Sequence, residues 1–159
     1  MSAIQIGSYV MFETRRRSND GHFFLGAMAL CLDTIKSNIA NKETTTSLMA
    51  IAVQWCSRFD FNELTPHLHD RYMEMYSILF VYRVLILYEE ADYDGMLQLL
   101  KNTKEHPVEL DVEQSESLAG ACFNVGLSHF DTQHFPSALI WLKFAYTFGN
   151  NIFFKCMYT

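Results

Sequence analysis

Two histidines two residues apart, His67 and His69, with Asp70 beside them, form the densest set of metal-ligating side chains in the sequence. On a strand, residues i and i+2 point to the same side and could share a cation; on a helix they diverge. Pro66 precedes them, and proline suits the first turn of a helix, so the segment reads as a helix start with Asp70 as its cap. His106, His129 and His134 stand at no spacing from the cysteines that would make a zinc site. Glu89, Glu90, Asp92 and Asp94 form an acidic turn. Paired carboxylates can serve acid–base chemistry, but at the tip of a helical hairpin they are expected to be solvated or to meet a basic peptide. No Ser-His-Asp or Cys-His arrangement, phosphate loop or dinucleotide fingerprint is legible. The sequence therefore predicts no catalytic residue, no metal and no cofactor.

Half of the 159 residues are hydrophobic and 14% are aromatic, too many for a disordered chain. Only 19% are charged, which leaves little polar surface to spare and suggests that neighbouring protein covers some of the apolar surface. A net charge of −6 argues against direct binding of nucleic acid. The one basic run, Arg15 to Arg17, reads as a solvated arm. Cysteines at 31, 56, 122 and 156 form no Cys-x-x-Cys pair. Three of them fall in apolar helical patterns, as buried thiols do, which points to a reducing compartment, cytosol or nucleus. The N-terminal apolar stretch precedes the arginines, unlike a secretory signal. The strongest apolar run, Ile78 to Tyr88, carries Arg83 and is too short to span a bilayer.

The elements that would position these residues all have helical periodicity. After an N-terminal arm over 1–21, the apolar positions predict helices over 22–37, from the polar turn at 41–46 to 59, over 70–90, 96–104, 113–130 and 135–148. Residues 60–70 read as a loop. Pro107 closes the fourth helix, and Gly149-Asn150 stops the sixth, leaving an apolar tail over 151–159. The helices fall into three pairs: 22–59, 70–105 and 113–149. The phrase EEADYDGMLQLL resembles HFDTQHFPSALIWL, with Tyr93 matching Phe135; from Met96 to its match Ala138 the period is 42 residues. Gly126, Ala138, Leu142 and Ala145 recur at the spacing of the packing positions of a tetratricopeptide (TPR) unit, where small side chains let helices approach. A regular TPR repeats at about 34 residues. The expected fold is accordingly an all-α, irregular TPR-like solenoid of helical hairpins over 22–150.

Solenoids bind peptides on a concave face lined by the first helix of each pair. Tyr76, Arg83, Asn124, Leu127 and Ser128 are the groove candidates on that basis. Asn124 is foremost, because its carboxamide can both donate to and accept from a bound peptide.

One family is resembled in particular. Cys122, Asn124 and Gly126 in one helix, then Trp141, Leu142, Tyr146 and Gly149 in the next, make the segment resemble the meiotic crossover TPR scaffolds, the sporulation and testis-expressed synapsis-initiation proteins. The resemblance covers about a fifth of the chain, and DYDGMLQLLKNTKEH more loosely. His129, where a large aromatic is usual, and Arg83, at a normally apolar position, depart from the TPR pattern. Membership would imply a nuclear, chromosome-associated scaffold that recruits crossover factors, and a chain much shorter than its relatives. The alternatives are a TPR adaptor or chaperone cofactor outside meiosis, with a cytoplasmic location, and a small helical ligand-binding regulatory domain. Partner identity and oligomeric state are not legible.

Overall fold

The structure is a computed structural model and describes residues 21–37, 41–57, 64–102 and 108–158. Among these residues there are six helices and no strand: α1 Gly21–Ser37, α2 Lys42–Cys56, α3 Pro66–Glu89, α4 Tyr93–Asn102, α5 Val112–Asp131 and α6 Phe135–Tyr158. The fold is all-α, as the periodicity predicts. None of these helices is long and apolar enough to cross a membrane. Arg15 to Arg17, His106 and Pro107 lie outside the described residues, as does most of the expected arm.

Several helix ends differ from the sequence reading. α3 begins four residues early, at Pro66, because proline fixes a helical φ and lacks only an N–H that the first turn leaves unbonded anyway. The Thr65 carbonyl already accepts the His69 N–H at 2.9 Å, so Asp70 lies inside the helix and does not cap it. α2 starts at Lys42, with the Asn41 carboxamide oxygen accepting the Thr44 N–H at 3.2 Å; most of the expected polar turn is its first turn. α4 starts at Tyr93 because Asp92 caps it, Oδ1 accepting the Gly95 N–H at 3.0 Å. Gly149 does not stop α6. A glycine stop needs the left-handed conformation, and no described glycine has a positive φ, so the helix runs on to Tyr158 through the expected tail.

The chain divides into two compact units, Met1–Leu79 and Phe80–Thr159, and the division falls within α3. In the first unit, α1 buries Phe24, Leu25, Met28, Cys31, Leu32 and Ile35, a stripe at spacings of three and four that makes one helix face apolar. α2 answers with Leu48, Met49, Ala52 and Trp55, and the start of α3 with Leu68, Tyr72, Met75 and Leu79. The Cys31 thiol donates to the Leu48 carbonyl at 3.5 Å, and the Phe24 and Tyr72 rings lie 6.4 Å apart.

The second unit has one core, in which Phe80, Val81 and Val84 of α3 and Met96 and Leu100 of α4 meet Leu118, Ala121, Cys122 and Val125 of α5 and Trp141 and Phe148 of α6. α5 and α6 pack closely, and their contacts give the direction: Gly126 faces Leu142, while Phe130, later in α5, meets Phe135, earlier in α6. They are an antiparallel hairpin. α5 opens on a capping box: Asp111 Oδ1 accepts the Gln114 N–H at 2.7 Å, and Gln114 Oε1 accepts the Asp111 N–H at 3.0 Å.

The turns ending α3 and α5 are the same turn. After α3, the N–H of Glu90 bonds the Ile86 carbonyl (2.9 Å), that of Ala91 bonds Tyr88 (3.1 Å) and that of Asp92 bonds Leu87 (3.0 Å). After α5, Thr132 bonds Ser128 (3.2 Å), Gln133 bonds Phe130 (2.9 Å) and His134 bonds His129 (2.8 Å). Every donor and acceptor is displaced by 42 residues. The left-handed residue is displaced likewise, Ala91 with φ 56° and Gln133 with φ 63°. This is the Schellman arrangement, which satisfies the last carbonyls of a helix and turns the chain back.

Candidate functional site

The groove candidates fall in different places. Tyr76 belongs to the first unit, half-buried on α3, its ring 5.8 Å from that of Tyr72. Arg83 is half-buried on α3 in the second unit. Asn124, Leu127 and Ser128 come together on the exposed side of α5, where spacings of three and four put them on one face. The Asn124 carboxamide already has a partner: Nδ2 donates to the Tyr88 hydroxyl at 3.3 Å. Its carbonyl oxygen is the group left to accept from a peptide.

Of the TPR-spaced residues, Gly126 and Leu142 meet at the seam between α5 and α6. Gly126 and Ala138 are buried and Leu142 and Ala145 half-buried. Of the residues that carry the family resemblance, Cys122 and Trp141 are core, and Tyr146 stands out at 70% exposure.

The acidic turn, expected to be solvated or to meet a basic peptide, borders a cleft that its sequence does not indicate. Ala91, Asp92, Tyr93, Asp94 and Leu97 on one side, and His129, Ser137, Ile140 and Trp141 on the other, line a cleft of about 320 Å³. Tyr93 is its hinge, with its ring 6.4 Å from His129 and 6.5 Å from Trp141, edge-on to both. His134 continues the row, 6.2 Å from His129, with Nδ1 3.1 Å from Thr132 Oγ1. Asp92 and Asp94 are exposed at the rim. Asp92 spends one oxygen on the α4 N-terminus, and the exposed Asp94 carboxylate stands in the first turn of the same helix. Aromatic walls below carboxylates suit a cationic side chain, through ring quadrupole and charge together. The match of Tyr93 with Phe135 in the sequence marks the repeat and not the cleft, because the pairing of Tyr93 with His129 and Trp141 is tertiary.

The described cysteines are buried thiols. Burial pushes the Cys31 thiol up to about 11, with a smaller contribution from nearby Cys56, and burial alone pushes Cys122 up to about 12. Thiols held protonated are poor nucleophiles and poor metal ligands. Among the described residues, no group of three or more His, Cys, Asp or Glu side chains is placed to hold a metal ion, and His67 and His69 lie exposed in the first turn of α3. The chain matches no family model, and comparison with curated proteins and with solved structures returns no match.

Proposed function

We propose that this chain is a non-enzymatic protein-interaction scaffold built as an irregular TPR-like solenoid of three helical hairpins. The observation that carries the reading is the recurrence, bond for bond at 42 residues, of the turns that end α3 and α5. Two hairpins closed by one turn geometry and stacked on one core are the unit from which helical arrays are made. From one turn to the next the chain runs through the 10-residue α4, a connection over 103–111 and the 20-residue α5, so the excess over a regular TPR period lies in α5 and the connection before it. In function, the residues Cys122, Asn124, Gly126, Trp141, Leu142, Tyr146 and Gly149 support a scaffold resembling the meiotic crossover and synapsis proteins, acting in the nucleus on chromosomes.

The test is recovery of partners from matched meiotic and mitotic nuclear extracts, with a Ser128→Arg variant as control, since Ser128 is exposed and its substitution leaves the core intact. Crossover or synapsis proteins recovered from meiotic extract alone, and reduced by Ser128→Arg, support the reading. Equal recovery of chaperones from both extracts supports the general adaptor and ends the meiotic assignment. A second reading is favoured by the cleft at Tyr93: a basic segment of a partner docks there. A lysine-rich peptide whose binding disappears in Asp94→Lys, and weakens with salt, would establish it.

A further inference from the structure

The 42-residue repeat assigns an occupant to the exposed face of the last hairpin. Val81 on α3 is buried in the core of the second unit, and Leu85 and Tyr88 on α3 and Tyr93 and Leu97 on α4 pack half-buried against that core, alongside residues of α5 and α6. The covering is specific: Tyr88 receives the Asn124 hydrogen bond, and Tyr93 meets His129 and Trp141. Advanced by one period, these five positions become Phe123, Leu127, Phe130, Phe135 and Leu139. All five are large and apolar, and all are 45–55% exposed. Phe130 and Phe135 meet edge to face, ring centroids 5.4 Å apart, so the stripes on the two helices join across the turn.

One repeat thus packs this face against a hairpin, and the next repeats its chemistry and leaves it open. A scattered exposed Leu or Phe is ordinary, but five at the positions of an existing interface are not. We propose that Phe123, Leu127, Phe130, Phe135 and Leu139 form a docking face for a further helical hairpin of this same repeat type. The hairpin presents the small and apolar surface that α5 and α6 themselves present to α3 and α4: Leu118, Ala121, Cys122, Val125 and Trp141. The interface continues the one inside the second unit by one period, so its contacts are helix on helix and its occupant is neither an extended peptide nor a lipid surface. The proposal rests on the helical-repeat scaffold reading and adds which face extends the array.

The test uses the whole chain and, as probe, a synthetic hairpin of residues 108–150 of this sequence. Calorimetry follows binding, and circular dichroism follows the helix content of the mixture. The expected result is saturable 1:1 binding, weakened at least tenfold in a Leu127→Lys, Leu139→Lys double variant whose own melting is unchanged. A Cys122→Lys probe, altered on the presented surface, is expected not to bind. Absence of binding overturns the proposal. Binding equal in both chains also overturns it, because the probe has then replaced the resident α5–α6 hairpin. A concentration-dependent dimer that the double variant dissolves, seen by light scattering, names a second copy as the occupant and overturns the hairpin assignment. The scaffold reading fails separately: if the unaltered chain recovers no meiotic partner, that reading ends, and hairpin binding alone still decides this one.

Discussion

A methyl group added at Gly126 has no free space to enter. Its ideal Cβ would stand 2.9 Å from Leu142 Cγ, 3.0 Å from Cδ2 and 3.3 Å from the Leu142 backbone nitrogen. Gly126→Ala gains about 1 kcal/mol of helix propensity but must push α6 away, at about 1–3 kcal/mol for overpacking. The expected net effect is a loss of about 1 kcal/mol, read as a lower denaturation midpoint. Gly120, six residues earlier on the same helix, is the internal control, since nothing lies within 4 Å of its ideal Cβ. Gly120→Ala is expected to stabilise by up to about 1 kcal/mol. Equal shifts at the two sites would mean that the α5–α6 seam is not held by this contact. Spacing alone singled out Gly126, because a small residue in a helical run has few other uses. It could not show that Asn124 is engaged, since the Tyr88 hydroxyl it donates to lies 36 residues away and belongs to another helix.

At the level of elements, helix number and type were legible because the apolar residues recur at three and four, and the ends were not, because they turn on single hydrogen bonds. Asp111 and Gln114 spell a capping box in the sequence, which starts the helix at Val112, one residue before the apolar pattern indicates. Asp111→Ala removes the bond to the Gln114 N–H and is expected to cost about 1–2 kcal/mol. Asn41→Ala, at the weaker cap of α2, is expected to cost less. Gly149 misled for the opposite reason: glycine stops a helix only in the left-handed conformation, and here the left-handed positions went to Ala91 and Gln133. Both residues carry a Cβ where glycine fits better, against the carbonyl that follows. Ala91→Gly and Gln133→Gly are each expected to raise stability by about 0.5–1 kcal/mol, and the gains should add because the sites share no partner. Denaturant titration of the two single variants and the double one decides this; a destabilised single variant would remove its turn from the shared geometry, and with it the 42-residue period.

Across the whole molecule, the apolar composition that marked an ordered chain also fixes its response to alkali. Each unit buries a thiol: Cys31 in the first, raised from 9.0 to about 11, and Cys122 in the second, raised from 9.0 to about 12. Burial raises the Tyr72 phenol as well, with Cys56 and Tyr76 adding to the shift. In each case the native state holds a proton that the unfolded chain gives up more readily. Below pH 9 both states are protonated, and the stability associated with these groups is present in full. Above pH 9 the unfolded chain releases protons first, so stability falls as pH rises until the native thiols themselves ionise. The slope is on the order of 1.4 kcal/mol per pH unit for each thiol. Urea midpoints measured at pH 8, 9, 10 and 11 should be flat at first and then fall, and a Cys122→Ala chain should fall less steeply over the same range. In native chains at pH 8 both thiols should alkylate slowly and then react at once on unfolding. Parallel profiles for the two chains would mean that the Cys122 thiol is as solvated when folded as when unfolded, and the core shared by α3, α4, α5 and α6 would then have to be looser than its packing indicates.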